Sequence, residues 1–551
     1  MRQLNRLLLA RNPHQFRLLA FTMESIFDEK SIVKIRTGCV GFDRDLLWRR
    51  ESPEQSSGSA VVIEHDGRRR LLTCAHCVAE STHLRLDSNA ESLTIPLHVA
   101  AVCHDVDLAL LDFSSEKLQG KRHRRHLSVI EGLKPLKLFN GLPKRAQPVQ
   151  VVGFPGSGRS ISATQGVVSR VDMASYVHSH RRHLVVQVDA AINGGNSGGA
   201  LLCQESDEVR LLGIVHQGFD AKAYQGTGDA IPVPVLEWFL REASRNDQNR
   251  ERGSYMDDNT KETRRLASLG LGLQLLRDDT LLQRRLSLPS EYAEEGIGVL
   301  VVGTSPWSSP NIEVGDVLLK VDGCDIRSDG RVRTPELETP VHFGYMVQRK
   351  HVGDTVTLRL WRSAVQEERE VNVTLCEPAR NRPAYEYDHQ SSYVVFGGIV
   401  LTRLSEPLMA PYHKSPSMFK YFTRHTGAFE HLRELTQRPT LPLGELDDRF
   451  NDMNFELVTV SRTLVIQANQ HMSSIEEQRL VSINGTEVWN VWHTAMLLKQ
   501  LQLQWDVTRD EHYADSDDDA SLDDDRRYAE LVFSNGFRAV FDLEQQVRNA
   551  S

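Results

Sequence analysis

From Ser31 onward, short β-branched apolar runs alternate with clusters of Gly, Pro and Asp. Ser31–Ile35, Ala60–Ile63, Val149–Val152, Val167–Val171, Leu184–Val188 and Leu211–Val215 recur in this way, a spacing that predicts an all-β barrel or sandwich. One helical stretch closes the region, because Val235, Leu236, Phe239 and Leu240 repeat at helical spacing after Pro232 and Pro234. Residues 244–265 are almost wholly polar, with only Tyr255 and Met256 able to bury much, and read as a linker. Structure is expected again over 266–378, with strands at Gly296–Val302, Asp316–Val321 and Thr355–Trp361 and a helix at Pro340–Lys350. A break at Glu377–Ser392 leads into a third region, 390–551. Its expected strands are Val394–Leu401, Leu457–Val460, Leu480–Ile483 and Ala529–Phe533, and its expected helix is Val491–Leu501. Within it, residues 509–527 are rich in Asp. They lack the glycine and closing glutamate of an EF-hand loop and read as a solvated loop insertion.

Composition narrows the class. The chain has 551 residues, 40% hydrophobic and 25% charged, with a net charge of −9. That excludes a wholly disordered or collagen-like chain, and it lacks the basic excess of a nucleic-acid binder. No apolar run approaches a membrane span. The seven cysteines are odd in number and scattered, which suits a reducing compartment better than a disulfide framework. Residues 1–23 carry Arg2, Arg6, Arg11 and Arg17 but no acid, so residues 1–30 read as a mitochondrial presequence or a disordered arm. Chloroplast, nucleus and cytoplasm are the alternative compartments.

Three separated motifs carry chemistry. Asn193-Gly194-Gly195-Asn196-Ser197-Gly198-Gly199 surrounds a serine with glycines. These allow tight backbone geometry and let successive amides converge on one anionic point. An acyl-transfer enzyme needs such a point beside its nucleophile. Leu71–Val78 places His76 after a short apolar run, and Asp107 precedes Leu108–Leu111. The order His76, Asp107, Ser197 is that of the chymotrypsin-type triad. Asp105 is the competing aspartate. Asp107 is preferred because the buried run follows it directly.

At these motifs the chain resembles the Do-like (Deg/HtrA) serine endopeptidases. Gly58–Val62, Leu72–His76, Asp107–Leu111, Asp189–Leu201 and Gly226–Pro232 match in the peptidase region. Leu271-Gly272-Leu273 looks like a PDZ carboxylate-binding loop, and Val314–Gly323 like the turn of that module. Val341–Tyr345 and Phe396–Val400 resemble the plant-type eukaryotic branch with two PDZ modules.

The resemblance implies a mainly β chain: a chymotrypsin-like double β-barrel protease over 31–243, then two PDZ-like α+β domains. It implies catalysis by Ser197, His76 and Asp107, with the oxyanion held by the Gly195 and Ser197 amides. Ala191, Ile192 and Asn193 would line the specificity pocket, and strand Leu212–Val215 would pair with extended substrate. Ala191 and Ile192 cannot neutralise a buried cation, so cleavage is expected after small or medium aliphatic residues. Substrates would be unfolded or damaged proteins in quality control, and the assembly a homotrimer or a multiple of trimers. No cofactor is expected, and no nucleotide-binding loop is recognisable, so action should be independent of ATP. The second PDZ region departs from the family at Glu477–Leu480, where the usual Gly-Asp turn is replaced. The motifs all lie before residue 245, so the chemistry shows no evident need for the region beyond about residue 390.

Some of the same residues also admit other readings. Cys74, His76, Cys77, Cys103 and His104 offer soft ligands for zinc, but zinc leaves the glycine-flanked Ser197 unexplained. A redox role for Cys74 and Cys77 lacks the alternating strand–helix context. The alternative of a different class is a PDZ-based peptide-binding scaffold or holdase chaperone with a latent protease.

Overall fold

The computed structural model describes residues 27–544, apart from 89–92, 115–119, 157–159, 206–207, 219–226, 252–265, 278–279, 305–307, 377–386, most of 406–455, 465–468, 470–471, 473–474, 516–526 and the single positions Asp45, Asn193 and Glu477. The presequence reading of residues 1–26 lies outside the described residues.

Six strands close the first barrel: β1 (Ile32–Cys39), β2 (Glu54–His65), β3 (Arg68–Thr73), β4 (Ser81–Ser88), β5 (Leu93–Cys103) and β6 (Leu108–Phe113), in the order β1-β2-β3-β6-β5-β4. A helix, α1 (Gly120–Gly132), leads to the second sheet. The sequence pattern did not announce α1, whose run GKRHRRHLSVIEG has few apolar positions to mark a face.

The second sheet contains β7 (Lys137–Leu138), β8 (Pro148–Gly153), β9 (Ser162–Ser175), β10 (Arg182–Val188), β11 (Ala200–Glu205), β12 (Glu208–Gly218) and β13 (Gly228–Pro232). Its order is β11-β8-β9-β10-β13-β12-β7, and an extra β11–β12 pairing closes the ring. In β2, Ala60–Ile63 is buried continuously rather than alternately. One apolar cluster explains this: it runs from Val61, Leu72 and Leu110 of the first barrel into Val152, Leu202 and Ile214 of the second. The seam between the barrels is therefore dry core, and the loops above it are held in fixed relation.

Helix α2 (Val233–Glu251) closes the peptidase region, burying Leu236, Phe239 and Ala243. It runs eight residues into the stretch expected to be a linker. Once a buried face has nucleated a helix, adding polar residues to its end costs little. Residues 252–265 lie outside the described residues.

The next unit, from Leu266 to Cys376, is a sheet with Leu271–Leu275 at its edge, paired to Val299–Thr304. Pro340–Lys350 is not one helix but a two-residue strand, Val341–His342, followed by the helix Gly344–Gln348. Val341 pairs with Val332, and that ladder holds the segment extended before the helix can begin. This unit packs on the second barrel: Met173 and Leu184 join its core, and Trp238 Nε1 donates to the Lys350 carbonyl at 3.1 Å.

In the last region, the expected strand Val394–Leu401 is a hairpin, Tyr393–Phe396 with Ile399–Arg403. Gly397 (φ +55°) and Gly398 (φ +77°) make its two-residue turn, the geometry that favours glycine at both positions. The helix expected at Val491–Leu501 continues to Asp515, into the acidic stretch. Val491, Leu498 and Trp505 recur every seventh residue and are all buried, so Trp505 ties down about one further turn. Residues 509–515 are thus helical rather than loop, and 516–526 lie outside the described residues.

Candidate active site

The three chemical motifs converge at the seam of the barrels. His76 sits in a single 3₁₀ turn, Ala75–Cys77, just after β3. Asp107 sits just before β6, in a turn closed by its own N–H donating to the His104 carbonyl at 3.2 Å. β3 and β6 are hydrogen-bonded neighbours, Thr73 opposite Ala109, so the ladder itself sets the two side chains together.

The Asp107 carboxylate accepts twice from the His turn. Its Oδ1 takes the His76 N–H at 2.9 Å, and its Oδ2 lies 2.8 Å from His76 Nδ1. Its main-chain carbonyl takes the Ala75 N–H at 3.1 Å. Asp107 adopts φ +53°, an unusual state for a residue with a Cβ, retained here by those three bonds. It is 1% exposed, while the His76 side chain keeps 32% of its surface open.

His216, on β12, places Nδ1 3.6 Å from Asp107 Oδ2 and packs its ring 4.4 Å from that of Tyr176. Sequence reasoning missed this histidine. Its only signal was a polar residue ending the run Leu211–Val215.

Electrostatics follow from this packing. Burial opposes the charge on Asp107, yet the His76 charge and the bonds from His216 and His76 hold its carboxyl well below the usual range. For His76, burial alone would lower the imidazole. The Asp107 charge, with lesser help from Cys77, carries it well above the ordinary value instead. Asp105 lies elsewhere: it is buried and faces Arg181 Nε at 3.9 Å.

Ser197 is held by the first barrel. Its carbonyl accepts the Ser59 N–H at 2.9 Å, and Ser59 Oγ donates to the Gly195 carbonyl at 2.9 Å. Its own hydroxyl is directed at the His216 carbonyl, at 3.4 Å. Among the described residues, no hydrogen bond joins it to His76. Gly195 (φ +96°) has no room for a side chain, since a Cβ there would stand 2.5 Å from the Phe154 carbonyl. The Gly194 carbonyl takes the Gly156 N–H at 2.6 Å. Because a trans peptide is planar, the Gly195 N–H faces the opposite way. Among the described residues, the Gly195 and Ser197 amides have no acceptor.

Of the pocket residues, Ile192 packs on a cluster that includes Val188, Ala190, Val215 and Ala230, and its side chain covers Gly228. Ala191 is exposed, its carbonyl accepting from Thr164 Oγ1 at 3.2 Å. Asn193 lies outside the described residues. Strand Leu212–Val215 cannot take substrate as expected. Its two edges are filled, Ile214 pairing with Ala200 on one side and Ile231 on the other. Among the described residues, an edge opens past Val215, where β12 pairs with β13 alone. Leu271, Gly272 and Leu273 lie on the edge strand of the second unit rather than in a loop. Leu271 and Leu273 lean on its core.

Donor atoms of Cys74, His76 and Asp107 lie within 4.8 Å of one another. They do not suit a metal. Burial raises the Cys74 thiol well above its usual value, so it is no thiolate, and it donates to the Val215 carbonyl at 3.3 Å. His76 Nδ1 is engaged by Asp107.

Residues 58–214 match the trypsin-like peptidase domain and residues 382–549 the PDZ domain. The barrels, the site and these matches define a serine endopeptidase of trypsin-like fold. The chain is 28% identical to the chloroplastic protease Do-like 2 of Arabidopsis thaliana over 468 residues, 85% of this chain and 67% of that protein. To the putative mitochondrial protease Do-like 3 of the same plant it is 27% identical, over 82% and 69%. The solved HtrA-type protease AlgW with decapeptide is 20% identical, with a TM-score of 0.43 over 63% of this chain and 95% of that one. Over most of its length the chain is thus homologous to the Do-like (Deg/HtrA) proteases. Among the described residues, no helix is long and apolar enough to cross a membrane.

Proposed function

We propose that the chain is an ATP-independent endopeptidase of unfolded proteins in which Ser197 is the nucleophile, His76 the general base and Asp107 the group that orients it. The observation that carries this reading is the buried Asp107 carboxylate bonded at 2.8 Å to the Nδ1 of a half-open His76. That bond fixes the tautomer with Nε2 free to accept a proton. Rotation about the Ser197 Cα–Cβ bond turns the hydroxyl from the His216 carbonyl toward His76, and such bonds commonly tighten only when substrate is present. His76 then passes the proton to the leaving amine, while Asp107 stabilises the imidazolium. The outward-turned Gly195 N–H and the unengaged Ser197 N–H supply the oxyanion donors. Substrate extends along the open edge of β12 at His216–Gly218.

The test is digestion of unfolded β-casein without nucleotide. The wild type is expected to cleave it and Ser197→Ala to leave it intact. Cleavage undiminished by that change would overturn the reading. The family resemblance further supports assembly as a trimer or a multiple of trimers. The names of the relatives, one mitochondrial and one chloroplastic, support work inside an organelle, the mitochondrion first. A fluorescent fusion would locate it.

Activity rises with pH, since only neutral imidazole accepts the serine proton. The sequence alone suggests a midpoint within about a unit of the ordinary histidine value, roughly 6.5. The Asp107 charge beside His76 raises it, so the midpoint of kcat/KM is expected above about 6.5. A flat profile, or a midpoint on the acid side, would contradict the role of His76.

Cleavage follows Val, Ala or Ile rather than Lys or Arg. Ile192 lies across Gly228 and presents apolar surface there. The buried Asp229 beside it is already bonded by Gln187 Nε2 at 3.3 Å. An unpaired ammonium there would cost several kcal/mol, even after relaxation. Mass-spectrometric mapping of casein fragments checks this, and a majority of cuts after Lys or Arg would refute it.

A further inference from the structure

Behind the His76–Asp107 pair runs a second line of polar side chains that the peptide chemistry does not use. His104 begins the turn that carries Asp107, and its carbonyl takes the Asp107 N–H. The His104 imidazole is buried. Its Nε2 lies 3.0 Å from Asp388 Oδ2 and its Nδ1 2.9 Å from His178 Nε2. A carboxylate only accepts, so His104 Nε2 donates to Asp388. Of the two facing nitrogens, His104 Nδ1 and His178 Nε2, one donates and the other accepts. One carboxylate thereby anchors a pair of hydrogen-bonded, buried histidines. The His178 ring stands 6.0 Å from that of His76, and burial keeps it neutral, its pKa lowered to about 3.

Asp388 comes from 284 residues further along the chain, inside the stretch that matches a PDZ domain. It is not a stray contact. Asp388 Oδ1 also accepts the Glu80 N–H. Tyr387 stacks on His178 at 4.2 Å and 11°, and its hydroxyl donates to the His178 carbonyl at 3.0 Å. Gln390 Nε2 donates to the Leu47 carbonyl at 2.8 Å, and Arg44 reaches Ser391 Oγ at 3.3 Å. Residues 387–391 are thus seated on the first barrel beside the site. Tyr387 and Asp388 lie just before residue 390, so they fall outside the region whose removal the sequence reading expects the chemistry to tolerate.

We infer that Asp388 and Tyr387 are positioning residues of the peptidase: they lock His104 and His178, and through them the turn that presents Asp107 to His76. This rests on the triad reading above. It makes the PDZ-matched stretch part of the active-site support, so a displacement of residues 387–391 lowers turnover without touching substrate.

The experiment uses the full chain and a short peptide amide. Asp388→Ala is expected to lower kcat by about 10- to 100-fold, the scale of a small misplacement of a catalytic group, with KM unchanged. His104→Gln should do likewise. The double variant should fall no further than the worse single one, because both changes break the same link. Should Asp388→Ala fail to fold, Asp388→Asn carries the test. It keeps the shape and one acceptor but loses the charge, and kcat should still fall. Unchanged kcat, a loss confined to KM, or multiplying effects in the double variant would overturn the inference. An inert Ser197→Ala beside a fully active Asp388 variant overturns this inference alone. Retained turnover in Ser197→Ala overturns the triad, and this inference with it.

Discussion

Asp107→Asn folds normally and loses turnover by on the order of 10⁴-fold, the scale at which other Ser-His-Asp sites respond to the same change. Asparagine fits the space. Its Oδ1 can still accept the His76 N–H that Asp107 Oδ1 now takes at 2.9 Å. That choice sets its amide nitrogen against His76 Nδ1, where Oδ2 now lies at 2.8 Å. Two donors cannot face each other, so the ring must carry its proton on Nε2, the nitrogen that should accept from Ser197. The charge that stabilises the imidazolium disappears as well. Asp105→Asn, which alters the carboxylate that faces Arg181 at 3.9 Å, should leave most activity. The check is kcat/KM on a peptide amide beside thermal unfolding. A severe loss in Asp105→Asn with a mild one in Asp107→Asn would reverse the assignment.

Ser197→Ala has the largest expected effect, on the order of 10⁶-fold in kcat by comparison with nucleophile removal in an unrelated serine protease. The hydroxyl makes one long bond, to the His216 carbonyl at 3.4 Å. The loop is held instead by the main chain, through Ser59 N–H on the Ser197 carbonyl. The variant should therefore keep its fold and its affinity for substrate while losing chemistry. Single-turnover measurements with a peptide amide, alongside binding of the same peptide, separate the two. Loss of binding equal to the loss of turnover would mean that Ser197 shapes the site rather than attacks.

Much of this site could be read from local sequence, because each motif lies where a strand ends. The run before His76 and the run after Asp107 are the hydrogen-bonded neighbours β3 and β6, so two separate apolar patterns encode one contact. The glycines around Ser197 were legible for a similar reason: at Gly195, the neighbouring backbone leaves no space for a Cβ.

What escaped the sequence was long-range or cooperative. His216 reaches Asp107 only because β12 closes the second barrel, and Asp388 reaches His104 across 284 residues. Periodicity carries no trace of either. The strand Leu212–Val215 looked available to substrate because a sequence shows apolar character but not which edges are filled. Helix ends were misjudged where a single buried residue, Trp505, outweighs a polar run.

Reaction with a fluorophosphonate tests the central claim most directly, because it forms a covalent bond with an activated serine whatever the natural substrate. The full-length protein is treated with the probe, and the adduct is mapped by peptide mass spectrometry. The account predicts one adduct, on Ser197, with labelling that slows sharply in Asp107→Asn and rises with pH as His76 becomes neutral. An adduct on a different serine, or casein cleavage that survives complete labelling of Ser197, would contradict it.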